Sequence, residues 1–119
     1  MDSKIRSFKD LRAWQKGMEL VKEIYKITKN FPSEELYVLS SQIRRAAISV
    51  PSNIAEGFRR KYRKEHKQFL NITLGSCAEL ETQVIIAKEL GYIDTEKEAV
   101  LSELIDHICR MVVSLDKKI

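Results

Sequence analysis

The stretch that most constrains the fold runs from Ser40 to Gly57 and predicts an α-helix. At about 100° per residue, its apolar residues recur at a spacing that places them on one narrow stripe. These residues are Ile43, Ala47, Val50 and Ile54. Arg44 falls on a flank of small and apolar residues beside this stripe, and Pro51 lies deep inside the pattern. A helix with these features is a specific packing surface that must be covered by other helices.

The rest of the chain repeats this helical spacing and predicts three more helices. The four predicted helices cover residues 10–30, 34–56, 63–90 and 94–117, after a loose arm at residues 1–9. Expected N-caps are Asp10, Ser33 and either Asp94 or Thr95, and the expected helix-ending glycines are Gly57 and Gly91. Because every link is short, neighbouring helices are expected to be antiparallel. The predicted fold is all-α, a single up-down-up-down four-helix bundle over residues 1–119.

The third predicted helix carries apolar residues over more than half of its circumference, whereas packing one face needs an arc of roughly 100° or slightly more. We therefore expect a second buried side at a subunit interface, and we expect Gly75 to permit close helix approach. Glu81 lies inside this apolar arc, as Arg44 does in the second helix. Because charges in apolar surroundings are normally paired, we predict an Arg44–Glu81 ion pair, within the subunit or across an interface.

Positive charge is concentrated in the first part of the chain. Residues 1–67 contain 16 Lys and Arg against 8 Asp and Glu, whereas residues 68–119 contain 5 against 9. The densest run lies in a predicted loop at residues 58–64, where Phe58 and Tyr62 separate the cations. Cations attract phosphates and aromatic rings stack on unpaired bases, so we predict a nucleic-acid site here. Its residues are Arg59, Arg60, Lys61, Tyr62, Arg63, Lys64 and Lys67, extended by Arg12 and Lys16. The same residue types also occur in an ordinary solvated turn between helices.

Other features narrow the classes of function. Cys77 and Cys109 lie in apolar helical contexts without a signal peptide, and we expect reduced thiols in a cytoplasmic protein. No apolar run approaches the roughly 18 residues of a membrane span. His107 and Cys109 point about 200° apart on a helix, so they cannot share a metal ion. With no catalytic constellation and no glycine loop for phosphates, we expect no enzymatic activity, no metal and no cofactor.

Several motifs together resemble a known family. They are Leu11-Arg-Ala-Trp14, Phe31-Pro32 with Glu34 and Glu35, the run from Ser41 to Gly57, and Gly75-Ser76 with Glu79-Leu-Glu-Thr82. This family of four-helix bundles was first named for open reading frames in intervening sequences of bacterial 23S ribosomal RNA. The resemblance covers nearly the whole chain and implies a ring-shaped homopentamer. The family is similar to the accessory variability determinant of diversity-generating retroelements, a basic pentamer that binds nucleic acid and a reverse transcriptase.

Two departures from the family pattern stand out. Val38 replaces an expected glycine, and the run after Gly57 is richer in Arg and Lys than the resemblance implies. We therefore expect a non-enzymatic, cytoplasmic homo-oligomer that binds structured RNA or DNA. The alternative is a scaffold for a protein partner such as a reverse transcriptase. The family name reflects where the reading frames lie and does not imply a ribosomal subunit.

Overall fold

The computed structural model describes residues 5–118, with the side chain of Lys118 excepted, and contains four long helices. They are α1 (Arg12–Thr28), α2 (Leu39–Arg59), α3 (Arg63–Glu89) and α4 (Thr95–Lys118). Along the bundle's circumference, α1 packs on α2, α2 on α3, α3 on α4, and α4 returns to α1. The predicted all-α class and the four-helix architecture are confirmed.

The predicted stripe of α2 forms the centre of the core. Ile43, Ala47, Val50 and Ile54 are all fully buried. The other three helices contribute fully buried aliphatic residues against this stripe, among them Leu20 and Ile24, Leu80 and Val84, and Ile105 and Ile108. Since full burial of each large aliphatic side chain contributes about 1.5–3 kcal/mol, this shared core holds the four helices together.

A glycine and a proline allow α1 and α2 to approach closely. Pro51 is buried inside α2, which continues to Arg59. A Cβ placed on Gly17 of α1 would lie 3.3 Å from Pro51 Cβ, so a larger residue at position 17 would press on the proline ring. The helix α2 therefore accommodates Pro51, which lacks a backbone N–H donor, because the proline ring packs against α1.

Two glycines do not have the roles that the sequence predicts for them. Gly57 does not end α2; it lies within the helix, and a Cβ there would be 3.0 Å from Phe69 Cβ on α3. Gly57 is therefore the position of close approach between α2 and α3. Gly75 is exposed, and a Cβ there would meet no atom within 4 Å, so the close approach predicted at this position is not found in the chain.

The start of α2 lies five residues later than predicted. Ser33–Glu35 forms a separate 3-10 helix, and Val38 precedes α2 with φ −121° and ψ −97°, outside the helical region. Glu35 Oε1 instead accepts a hydrogen bond of 3.3 Å from the backbone N–H of Leu39. Ser33 therefore does not cap α2, and a carboxylate in the preceding turn contacts its first residue.

The N-terminal segment is more ordered than the predicted loose arm. Residues 1–4 lie outside the described part of the chain, and Phe8–Asp10 forms a 3-10 helix with a capping box between Ser7 and Asp10. The Asp10 carboxylate accepts the backbone N–H groups of Arg6 at 2.8 Å and Ser7 at 3.2 Å. These bonds, that from Arg6 first, lower the pKa of Asp10. Ser7 is therefore the N-cap of this short helix and Asp10 completes its capping box, whereas α1 begins at Arg12 without a side-chain cap, so Asp10 does not cap α1 as predicted.

The turn between α3 and α4 follows the sequence prediction. Gly91 has φ +80°, the left-handed conformation that favours glycine after a helix. The backbone N–H of Tyr92 donates to Ala87 O at 2.9 Å, a bond typical of this helix ending. Asp94 Oδ1 accepts the N–H of Lys97 at 2.7 Å, so Asp94 rather than Thr95 caps α4.

Candidate nucleic-acid interface

The segment where α2 passes into α3, residues 58–67, is called the α2–α3 corner below. Only residues 60–62 lie between the helices, so the loop is shorter than the predicted 58–64. The N–H of Arg60 donates to Gly57 O at 3.1 Å, and Tyr62 O accepts the N–H groups of Glu65 and His66. Arg59 therefore projects from the last turn of α2, Arg60 and Lys61 belong to the loop, and Arg63 and Lys64 project from the first turn of α3.

Three of the predicted site cations form salt bridges within the chain. Arg60 contacts Glu56 at 3.1 Å, and its guanidinium carbon lies 4.8 Å from the centroid of the Phe69 ring. The other two pairs are Lys67 with Asp116, at 3.8 Å, and Lys16 with Glu19, at 3.3 Å. The i,i+4 spacing of Glu56 and Arg60 was a sequence signal for the first pair, whereas the contact with Asp116 depends on how α4 packs.

Five of the predicted cations form no salt bridge with the described residues. They are Arg12, Arg59, Lys61, Arg63 and Lys64, and all five are exposed. Arg59 lies over the ring of Phe8, 5.4 Å from its centroid, a contact that the sequence analysis did not predict. Because Phe8 and Arg59 are far apart in sequence, no local pattern could reveal it. The positive charge of these side chains is directed at solvent.

The two aromatic residues of the predicted site have different surroundings. Tyr62 is 63% exposed at the turn itself. Phe58 is partly buried and packs against the hydrophobic core, so its expected role beside the cations is not supported. Tyr62 is therefore the ring of the pair that has the exposure needed for stacking on a nucleotide base.

The helix termini also affect the electrostatics of the α2–α3 corner. Tyr62 is the N-cap residue of α3 and makes no side-chain capping bond, so amide groups of the first turn contribute partial positive charge. Arg59 belongs to the last turn of α2, where partly negative carbonyl groups favour a cation. The position of Arg59 thus has a structural explanation, whereas Lys61, Arg63 and Lys64 add charge to an end that is already positive.

The start of α1 lies at the same end of the bundle. Arg12 lines a shallow cavity of about 440 Å³ together with Ser114 and Leu115 from the last turns of α4. The Lys67–Asp116 contact ties the α2–α3 corner to the same part of α4. The end of α4 thus lies beside both segments that carry predicted site residues, the start of α1 and the α2–α3 corner. Lys16 lies one turn further along α1.

The two residues of the predicted ion pair lie apart from this end and do not pair within the chain. Arg44 is half-buried; its Nε donates to Thr28 Oγ1 at 2.8 Å, and its guanidinium lies 4.9 Å from the Tyr25 ring centroid. Glu81 is exposed on α3 and forms no salt bridge with the described residues. Arg44 and Glu81 therefore do not form an ion pair within the chain, and their pairing across an interface stays a prediction.

The two cysteines meet between α3 and α4. Cys77 is fully buried and Cys109 partly exposed, and both thiols are free. A hydrogen bond between them, with burial, raises the pKa of Cys77, and the same bond lowers the pKa of Cys109. Within residues 5–118, no three His, Cys, Asp or Glu side chains are placed to hold a metal ion.

These features define a class of protein: a small four-helix bundle with exposed cations gathered at one end. Residues 9–114 match the model of the family described as 23S rRNA-intervening sequence protein. The chain belongs to the 23S rRNA-intervening sequence protein family, which confirms the resemblance noted from the sequence motifs.

A solved structure supports the same fold. The chain is similar to a protein of unknown function from the S23 ribosomal protein family of Bacteroides thetaiotaomicron, with 25% sequence identity and a TM-score of 0.81. The match covers 88% of this chain and 98% of that one. Comparison with curated proteins finds no match. None of the helices in the described residues is long and apolar enough to cross a membrane.

Proposed function

We propose that this protein is a non-enzymatic nucleic-acid-binding protein that holds structured RNA or DNA at the α2–α3 corner and the adjacent start of α1. One observation carries the proposal: five exposed cations without a salt bridge to the described residues gather at one end of the bundle, around the exposed ring of Tyr62. Cations at a surface gain affinity for a polyanion by releasing its condensed counterions.

The arrangement suggests how binding would occur. Arg59, Lys61, Arg63 and Lys64 would contact backbone phosphates, aided by the uncapped first turn of α3. Tyr62 would stack on an unpaired base in a loop or bulge. Since these contacts do not read base edges, recognition would depend on shape and charge more than on sequence.

We infer that the helices run antiparallel in up-down-up-down order. Contacting residues support this direction, because Gly17 early in α1 lies against Pro51 late in α2, and Thr28 at the end of α1 bonds Arg44 early in α2. Gly57 meets Phe69 in the same way between α2 and α3.

We also infer assembly into a cytoplasmic homo-oligomer, for which the family resemblance implies a pentameric ring. Exposed isoleucines on α3 support a second buried side of this helix: Ile72, Ile85 and Ile86 are 41–43% exposed in the single chain. Several copies of a weak nucleic-acid site in one particle would raise the overall affinity through a high effective concentration.

The test uses fluorescence anisotropy of labelled RNA hairpins and DNA duplexes over a salt series. The test variant replaces four cations with glutamine: Arg59, Lys61, Arg63 and Lys64. The matched control replaces four lysines at the other end of the bundle with glutamine: Lys26, Lys29, Lys88 and Lys97. Both variants lose the same charge. We expect the slope of log K against log salt to fall by about 3–4 in the test variant and to change little in the control.

Two outcomes of this test would contradict the proposal. Equal loss of binding in both variants would indicate a net-charge effect without a site, and no binding of the wild type at low salt would overturn the proposal. The scaffold alternative, with a partner such as a reverse transcriptase, has its own support in exposed apolar residues, such as Leu90 directly after α3 and Val100 of α4. A scaffold would retain its partner after the α2–α3 corner is neutralised.

A further inference from the structure

We propose that Arg44 of one copy pairs with Glu81 of the next copy, so that identical chains associate side by side. The inference rests on the homo-oligomer part of the proposed function and assigns the two faces that meet. One face is the groove between α1 and α2 around Arg44, and the other is the groove between α3 and α4 around Glu81.

In the single chain, Arg44 contacts α1 through a hydrogen bond and an aromatic ring. Its Nε donates to Thr28 Oγ1, and Tyr25 lies beneath the guanidinium, but no carboxylate among the described residues pairs with it. A guanidinium has five N–H donors, so the half-buried group retains donors for another acceptor. Planar bidentate pairing with a carboxylate is its preferred strong interaction.

Glu81 lies on the side of the bundle opposite Arg44. Glu81 lies one turn after Cys77, the residue of α3 that meets Cys109 of α4, which places it near the α3–α4 groove. Arg44 lies in the α1–α2 groove. Because the order around the bundle is α1, α2, α3, α4, these grooves face opposite directions. Arg44 and Glu81 therefore suit a contact between copies.

Exposed apolar residues lie beside each of the two charges. Ile48 follows Arg44 by one turn and is 42% exposed, and Ile85 follows Glu81 by one turn and is 43% exposed. Tyr25 and Met18 of α1 extend the first surface, and Val113 of α4, one turn after Cys109, extends the second. Each face thus combines exposed apolar area with a charge that forms no salt bridge to the described residues. Asp106 and Arg110 also lie near Cys109, but they pair with each other. The charges of Arg44 and Glu81 are opposite, which specifies a second copy as the occupant.

The two residues lie at similar levels along the bundle. Arg44 is five residues after the start of α2, and Glu81 is eight residues before the end of α3. At about 1.5 Å per residue, they lie about 8 Å and about 12 Å from the same end of the bundle. Copies placed side by side with their axes in the same direction therefore bring the two residues to similar levels.

This geometry has a consequence for the proposed nucleic-acid site. A contact between two different faces is heterologous, so it repeats from copy to copy and generates a closed ring or a filament. Because neighbouring bundles point in the same direction, the α2–α3 corners of all copies lie on one face of the assembly. One nucleic acid could then contact several corners at once.

The test is native mass spectrometry and light scattering of purified wild type, Arg44→Glu, Glu81→Arg and the double variant. Each single variant is expected to raise the concentration for half-assembly at least tenfold. The double variant should restore assembly, because the reversed charges attract again. Arg45→Glu and Glu79→Arg are the matched controls, since they make the same charge changes at exposed residues of the α2–α3 groove, away from the two faces, and should assemble as the wild type does.

The outcomes separate this inference from the proposed function. A wild-type protein that stays monomeric at all concentrations removes the homo-oligomer, and the pairing falls with it. An oligomeric wild type whose assembly is unaffected by Glu81→Arg overturns the pairing alone. Far-ultraviolet circular dichroism monitors folding; should Arg44→Glu not fold, the exposed substitution Glu81→Arg decides the test by itself. Hairpin binding at low salt by dissociated variants shows separately whether the α2–α3 corner functions.

Discussion

The two ends of the bundle use their polar residues differently. At the end where α3 turns into α4, the Tyr92 hydroxyl donates to Glu35 Oε2 at 2.7 Å, and its ring packs 5.2 Å from the Phe31 ring centroid. At the other end, Lys61, Arg63 and Lys64 project into solvent without such partners among the described residues. The polar groups named at the first end complete the fold, whereas these three cations at the second end have no such role.

A cavity at the α3–α4 end reinforces the contrast. It measures about 350 Å³ and is lined by both signs of charge, including Lys26, Lys97 and Asp94. Asp94 already caps α4 through the N–H of Lys97. A cavity lined by both positive and negative side chains, one of them already hydrogen-bonded, does not favour a polyanion. The comparison teaches that the presence or absence of an internal partner, more than the number of charged residues, distinguishes a candidate site.

The largest effect that would disturb this contrast is expected from Gly57→Val. The added side chain would collide with Phe69 and force α2 and α3 apart at the α2–α3 corner, since even a Cβ would be 3.0 Å from Phe69 Cβ. We expect a loss of about 1–3 kcal/mol in the free energy of unfolding, measured by urea denaturation, together with weaker hairpin binding.

Gly75→Ala is the control for this substitution, because it places a methyl group where no atom lies within 4 Å. Replacing an exposed glycine inside a helix should increase stability by about 0.5–1 kcal/mol. Equal destabilisation by both substitutions would contradict the packing difference between the two glycines.

A smaller effect should separate paired from unpaired cations within the α2–α3 corner. Lys64→Gln removes a charge directed at solvent, and we expect the salt slope of hairpin binding to fall by about 1. Arg60→Gln removes a charge already engaged by Glu56 and Phe69, so the slope should change less. Anisotropy titrations at several salt concentrations measure both. A greater loss for Arg60→Gln would show that internal pairing does not predict availability.

At the opposite end, Tyr92→Phe should lower the melting temperature by a few degrees and leave nucleic-acid binding unchanged. The hydrogen bond to Glu35 raises the pKa of the Tyr92 phenol, because the neutral phenol is the donor. This contribution is fully present below the ordinary value of about 10 and is lost as pH rises through the raised pKa. Thermal melts at neutral and alkaline pH should therefore show that the wild type's advantage disappears at high pH.

The smallest effect is expected from Asp10→Asn in the N-terminal 3-10 helix. The backbone donors of Arg6 and Ser7 lower the pKa of Asp10, so its stabilising contribution is present above the ordinary value of about 3.9. It is lost as pH falls through the lowered pKa. Melting temperatures of the wild type and the variant should therefore converge in acid; a difference that grows in acid would contradict the assigned role.

Local chemistry accounts for what could be predicted from the sequence. The α2 stripe around Ile43 and Ile54 is buried as predicted, because helical periodicity by itself selects the inward face. Gly91 ends α3 with a positive φ, since this conformation is a property of the residue and its turn. The cations could likewise be located from the dense run of Arg and Lys in the sequence, although the distant residues that contact some of them could not.

The sequence alone therefore determined four helices, their apolar faces and the position of the densest positive charge, because these depend on neighbours within a few residues. Tertiary structure decided that Gly57 is a contact point and Gly75 is open, that α2 begins at Leu39, and that Arg44 bonds Thr28. It also decided which residues lie against Lys67 and Arg59 of the α2–α3 corner, since Asp116 and Phe8 reach that end only through packing. These outcomes depend on distances between helices, which local residue patterns do not encode.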